Sequence, residues 1–220
     1  YGGHALDKKT PLLRSIDALN KQALRLFKAL KMDDVKHIVT NVGPEQEYFL
    51  VDKALFEKRL DLILTGRTLF GAPSPRGQEL DDHYFGVIKP RVASFMEEVD
   101  RELWKLGISA KTEHNEVAPA QHELASIYTT CNLACDQNQL MMEMMTKIAD
   151  KHHFVILFHE KPFEGVNGSG KHNNWSISTD TGINLLSPGD TPFENKVFLL
   201  FLAAVIKAVD DYQDLLNISV

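Results

Sequence analysis

The chain has 220 residues, 44% of them hydrophobic and 25% charged, with a formal net charge of -6. This is the make-up of a globular protein that can bury one large core, or a core with an attached subdomain. The acidic balance, without any basic cluster, argues against a nucleic-acid surface, and the longest apolar run, residues 197–206, falls well short of the ~20 residues of a membrane span.

The first ten residues, YGGHALDKKT, hold no signal-peptide core, and they begin on Tyr1, which predicts a piece of something longer. Thr10 and Pro11 read as an N-cap and a first-turn proline. Behind them Leu12, Leu13, Ile16, Leu19, Ala23, Leu24, Leu26 and Phe27 recur at helical spacing, predicting an amphipathic helix to about Leu30. HIVTNV and EQEYFLVD predict two strands parted by a break at Gly43-Pro44. ALFEKRLDLIL fits either helix or strand, and RTLFGAPSPRGQ is a loop. A helical pattern runs from residue 80 to about 105 with Pro90 inside it, where a kink or break is expected.

ISAKTEHNEVA and QHELASIYT predict strands joined by a turn at Pro119-Ala120. A long helix follows, about residues 132–151, with Met141, Met142, Met144 and Met145 as packing residues. Cys131 and Cys135, the only cysteines, lie at its start and read as reduced thiols, which predicts a cytoplasmic protein. HHFVILF predicts a strand, GVNGSG a loop, HNNWSIST a strand, and residues 192–216 a last helix. Short polar-faced strands between long helices predict an α+β fold, with helices covering one face of a mainly antiparallel sheet. No inter-domain linker is evident.

Glu45 and Glu47 point to one face of their strand, followed there by Phe49 and Val51, so two like charges enter an apolar segment. Glu116 and Glu123, across a turn from each other, can project toward a shared space. In HNNWSIST the alternation puts His172, Asn174, Ser176 and Ser178 on one face, while Trp175 and Ile177 on the other help pack the core. Each glutamate alone is an ordinary solvated residue, and His172 alone is a structural histidine. Together they form a hard-oxygen set with one imidazole, which suits Mg²⁺ or Mn²⁺ and not structural zinc. More than three carboxylates suit two cations, a recurring arrangement in phosphoryl chemistry. His114 and His122 stand beside the glutamates without a spacing of their own. In GVNGSGKH the glycines let backbone N–H groups approach a ligand, with a spacing unlike that of a Walker A loop.

GPEQEYFL, HNEVAPAQHE and VNGSGKHNNWS, in this order and at these separations, resemble the glutamine synthetase catalytic domain. ALDKKTPLL and VIKAVDDYQDLL look most like its type III branch. The resemblance covers nearly the whole chain. It implies a curved antiparallel sheet, as in the glutamine synthetase and guanidino kinase fold, with a funnel-shaped site holding two Mg²⁺ or Mn²⁺ ions. It implies ATP-dependent joining of ammonia to L-glutamate through a γ-glutamyl phosphate. Carried onto this sequence, Glu47, Glu116 and Glu123 hold the first metal, and Glu45 and His172 the second. Asn167 and Gly168 contact glutamate, and Asn174 and Ser176 the nucleotide, with Asn174 replacing a histidine common in the family.

The same resemblance makes residues 1–220 part of a catalytic domain. The family's later arginines, the further ligand of the second metal, the closing flap and the N-terminal domain lie outside them. The segment alone is therefore expected to be inactive. The whole protein is expected to be cytoplasmic and to form a homo-oligomeric ring, a dodecamer in the family's pattern, with sites shared between subunits. The rival readings are a related carboxylate–amine ligase or guanidino kinase, and a non-catalytic scaffold that keeps the fold.

Overall fold

The computed structural model describes residues 9–218. They divide into two compact units, the first made of residues 9–42, 130–132 and 175–218, the second of residues 43–129 and 133–174.

The first unit is built on helix α1 (Lys9–Ala29), which already includes Thr10, so that Thr10 is helical and not its cap. Ala23 and Phe27 pack with Val35, Ile38, Ile177, Leu185 and Phe201, and the Phe27 and Phe201 rings stand 5.9 Å apart. The helix expected over residues 192–216 is two: α6 (Lys196–Asp211) and α7 (Gln213–Ile218). The Asn195 side chain starts α6 by accepting from the Phe198 N–H at 3.0 Å, which makes it a true N-cap. Trp175, expected in the core, is 50% exposed, whereas Ile177 is buried as its parity requires.

The second unit carries the sheet that positions the site. Its spine is the part of β1 from residue 43 onward; β1 (Ile38–Asp52) is one continuous strand where two were expected. Gly43 does not break it. A Cβ there would lie 3.1 Å from the Cβ of Tyr128, so this glycine answers a close side-chain approach and not a turn. The short helices α2 (Lys53–Phe56) and α3 (Leu60–Thr65) follow β1 and resolve the ambiguous ALFEKRLDLIL as helix. Gly66, left-handed at φ 73°, ends α3.

A long loop leads to α4 (Pro90–Lys105). The helix expected from residue 80 starts only at Pro90, because the proline occupies its first turn and holds Lys89 extended at ψ 142°. Strands β2 (Ala110–Asn115) and β3 (Gln121–Ser126) form a hairpin, and β3 pairs antiparallel with β1. The two-residue β4 (Thr129–Thr130) precedes α5 (Cys131–Lys151). Strand β5 (Phe154–Leu157) pairs antiparallel with the end of β1, and β6 (Lys171–Thr179) also pairs with β1.

Alternation along these strands separates two environments. On one face Tyr48, Leu50 and Leu124 meet Phe95, Val99 and Leu103 of α4 and Met141, Met145 and Ile148 of α5. The α4 residues recur at three- and four-residue spacing, which is why that helix lies flat on the sheet. On the opposite face Phe49 and Leu157 pack with Leu62, Ala118 and Phe163. The helices α4 and α5 thus cover the face away from Glu45 and Glu47.

Candidate metal centre

The strand register assembles the carboxylates. Glu47 lies opposite Glu123 in the β1–β3 ladder, and Glu123 lies opposite His114 in the β3–β2 ladder. Three residues from three neighbouring strands therefore form a row on the face away from α4 and α5. Glu116 lies just past β2, where its N–H donates to the Gln121 carbonyl at 2.9 Å and closes the hairpin. Ligand atoms of His114, Glu116 and Glu123 lie within 4.8 Å of one another. His114 Nε2 is 3.2 Å from Glu123 Oε1, and Nδ1 is 3.7 Å from Glu116 Oε1.

The electrostatics follow from this crowding. Burial, then the charge of Glu47, holds the Glu116 carboxyl above the usual range. Burial, then the charges of Glu45 and Glu116, does the same for Glu123. Glu116 and Glu123 therefore feel the charges of Glu45 and Glu47, and a divalent cation would relieve both the repulsion and the desolvation. Oxygen donors with imidazole, set within a few ångströms, fit Mg²⁺ or Mn²⁺ chemically.

The two glutamates of β1 are held differently. Glu47 Oε2 accepts from the Gly170 N–H at 2.9 Å and from Gln121 Nε2 at 3.2 Å. Glu45 Oε1 accepts from Asn174 Nδ2 at 2.7 Å, and its Oε2 lies 3.1 Å from His172 Nδ1. His172 and Asn174 are both exposed, so Glu45 stands at the open end of the row.

The glycine-rich loop is shaped against these groups. A Cβ on Gly170 would lie 2.8 Å from Glu47 Oε2, and one on Gly168 would lie 1.6 Å from the Glu160 carbonyl oxygen. Only glycine fits at 168, where the neighbour is backbone, whereas a side chain at 170 would displace the Glu47 carboxylate. The Gly168 carbonyl accepts from Gln121 Nε2 at 2.7 Å, and the buried Ser169 donates to the Leu157 carbonyl at 2.9 Å. Asn167 is exposed and engaged by Gln78: its N–H donates to Gln78 Oε1 at 2.5 Å, and its Oδ1 accepts from Gln78 Nε2 at 3.3 Å. Ser176 is half-buried, two residues beyond Asn174 on the same face of β6.

Sequence reasoning missed three residues here. His114 and Gln121 carried a usable signal, since each stands two positions from a glutamate (His114-x-Glu116, Gln121-x-Glu123) and so shares its face on an extended chain. Gln78 carried none, because its partner is far along the chain in a second loop. His122 has the opposite parity. Burial pushes its imidazole down to about 3, and Nδ1 sits 3.0 Å from Asn115 Oδ1, so it is a neutral core histidine.

Fold and site together define a protein of mixed helices and antiparallel sheet that gathers carboxylates on one sheet face. Among solved structures it is similar to GmaS in complex with ADP, with a TM-score of 0.52 and 20% identity over 78% of this chain and 34% of that one. A likeness to ligand-free GmaS has a TM-score of 0.50 at 22% identity, over 68% and 32% of the two chains. The description "Glutamine synthetase, catalytic domain" matches residues 20–220. The chain belongs to the glutamine synthetase family. It is 62% identical over its whole length to the glutamine synthetase of Butyrivibrio fibrisolvens and 51% identical to the Type-3 glutamine synthetase of Dictyostelium discoideum. Identity to the glutamine synthetase of Staphylococcus epidermidis is 31% over 80% of the chain. The chain spans about a third of the length of the relatives it matches over its full extent.

Proposed function

We propose that the whole protein joins ammonia to L-glutamate at the expense of ATP, and that residues 1–220 are the part of its catalytic domain that holds the metals. The row of Glu47, Glu123 and His114 across three strands, with Glu116 beside it, carries this reading. Glu47, Glu116 and Glu123 would hold one Mg²⁺ or Mn²⁺ ion, with His114 within reach of the same point. Glu45 and His172 would contribute to a second. When bound, such ions neutralise phosphate oxygens and favour γ-phosphoryl transfer.

The γ-carboxylate of glutamate attacks the terminal phosphorus of ATP, the bond to the bridging oxygen breaks, and ADP leaves. Ammonia then forms a bond to the acyl carbon, phosphate departs, and one proton is lost. No serine or cysteine nucleophile is needed, which agrees with a site built of carboxylates, amides and imidazoles. In this chain the Gly170 N–H and the Gln121 amide hold the Glu47 carboxylate and would orient it toward an ion. Asn167 and Gly168 would present the glycine loop to glutamate, and Asn174 and Ser176 would face the nucleotide. A cytoplasmic, ring-forming oligomer with sites shared between subunits belongs to the same proposal. No helix among the described residues is long and apolar enough to cross a membrane.

The test is glutamine formation by the full-length protein from glutamate, ATP and ammonium, with cysteine and guanidino compounds offered in parallel. Product only with cysteine or a guanidino acceptor would replace this reading by a sister ligase or kinase. No product with any acceptor, and no Mn²⁺ binding sensitive to Glu47→Ala, would leave a scaffold. Residues 1–220 by themselves are expected to show no activity.

A further inference from the structure

The loop between α3 and α4 is anchored at both ends to residues of the site's surroundings. At its start Thr68 donates twice to the Pro162 carbonyl, at 2.8 and 3.1 Å. The Leu69 N–H donates to the buried Asp61 carboxylate at 2.9 Å, and Arg59 holds that carboxylate well below its usual range. At its end His83 Nδ1 meets the Glu116 carbonyl at 2.5 Å, and the Tyr84 ring stands edge-on to His114 at 5.5 Å.

Between these anchors the backbone is strained. Leu80 and Asp81 are consecutive non-glycine residues in the left-handed region, at φ 56° and 52°. Such conformations cost on the order of 1 kcal/mol or more each. Burial does not offset the cost, since Leu80 is 95% exposed. Across to the glycine-rich loop this segment makes a pair of hydrogen bonds between Gln78 and Asn167, beside the Arg76–Asp82 ion pair and the Gly77 N–H bond to Glu79 within the segment itself.

We propose that Gln78 is a positioning residue for the amino-acid substrate, acting by fixing the orientation of the Asn167 amide; the proposal rests on the function set out above. Gln78 uses both ends of its amide. Its Oε1 takes the Asn167 N–H, and its Nε2 claims Asn167 Oδ1. Gln78 thus engages Asn167 at its side-chain oxygen, and the remaining group of that amide is the Nδ2 donor. That donor suits a carboxylate or carbonyl oxygen of an amino acid. Gly77 and Glu79, on either side of Gln78, line a pocket of about 650 Å³, as does Val166, next to Asn167. The clasp therefore stands next in the chain to residues that line a space large enough for an amino acid. It also connects inward, because Gly168 follows Asn167 and its carbonyl is held by Gln121, which holds Glu47 as well.

The test uses the full-length protein with Gln78→Ala and Gln78→Glu. Alanine frees Asn167 to rotate, and KM for glutamate should rise about tenfold, equivalent to ~1.4 kcal/mol. The glutamate side chain can only accept, so it draws Asn167 Nδ2 to itself and should raise that KM further. In both variants kcat, KM for ATP and Mn²⁺ affinity should stay within about twofold. A glutamate KM unchanged in both variants overturns the proposal. So does a parallel loss of glutamate, ATP and Mn²⁺ affinity, which marks general loop damage. An inactive wild-type protein is a separate result, visible before any variant is assayed, and it removes the functional reading and this proposal together.

Discussion

The two faces of the β1–β3–β2 sheet both carry acids, and they neutralise them in opposite ways. On the helix-covered face Glu113 of β2 lies near Asp100 of α4 and the buried Tyr48. Burial, then the Asp100 charge, pushes Glu113 up to about 9, so it carries a proton at neutral pH. Burial also raises Asp100, and it raises Tyr48 with help from both acids. On the other face, one residue further along, His114 begins the row with Glu123 and Glu47. There burial and mutual repulsion raise Glu116 and Glu123, but the Glu45 end is open and ligand atoms converge on one point. A closed face leaves a proton as the only neutralising cation. An open face with converging oxygens admits a metal ion. Strand parity at a single step decides between the two outcomes.

The largest effect that would break this comparison is on metal affinity. Glu47→Ala should weaken Mn²⁺ binding by more than about a hundredfold, since it removes a proposed ligand, and the orienting partners of a ligand alone are typically worth 10–100-fold. Glu113→Gln, on the other face, should leave it within about twofold. Calorimetric titration of both variants decides, and equal losses would mean that the faces are not separate.

The next effect concerns stability against pH. Glu113 binds its proton more tightly folded than unfolded, so between its ordinary pKa and about 9 the folded state holds more protons. Stability therefore falls as pH rises through that window, with a slope of up to about 1.4 kcal/mol per pH unit for one group. Glu113→Gln should flatten the slope in denaturant titrations of metal-free protein at pH 6, 7 and 8. An unchanged slope would place the titration elsewhere.

The parity argument also shows what could be read in the sequence. EQE announces its face by alternation, and the structure brings Glu45, Glu47, Glu116 and Glu123 to one side of one sheet, whereas in HNNWSIST alternation holds for Ile177 but not for the exposed Trp175. His114 obeys the same rule, and its signal lies in its spacing to Glu116 and not in the residue alone. Elsewhere local signals misled for identifiable reasons. Gly43-Pro44 looked like a break, yet the glycine serves the approach of Tyr128. The apolar residues of 80–89 matched a helical period, but Leu80 and Val87 are almost fully exposed and Pro90 starts the helix. The clasp between Gln78 and Asn167 joins two irregular loops, where no periodicity exists to reveal it.

Within the open face the repulsion itself can be measured. Glu47 and Glu123 face each other directly, and such like-charged pairs cost about 0.2–1 kcal/mol. Because its pKa is raised in the fold, Glu123 costs more stability as pH climbs above its ordinary value. Glu123→Gln should therefore stabilise the metal-free protein by up to about 1 kcal/mol at pH 8, and by less at pH 5. With saturating Mn²⁺ the order should reverse, since a ligand that binds only the folded state stabilises it in proportion to its affinity. Melting curves with and without Mn²⁺ test both signs, and a variant less stable in both conditions would show that Glu123 is a structural acid.

The smallest effect separates the two β1 glutamates from each other. Glu47 is fixed by a backbone N–H and the buried amide of Gln121, whereas Glu45 is fixed by Asn174, an exposed side chain. An exposed partner exchanges readily with water, so its loss should be partly made good. Asn174→Ala is expected to weaken the second of two Mn²⁺ binding steps by about threefold, while Gln121→Ala weakens the first by about tenfold or more. Titration to two equivalents in the full-length protein resolves the steps. If Asn174→Ala instead weakened the first step, Glu45 and Glu47 would share one cation, and the division of the row into two metal sites would have to be abandoned.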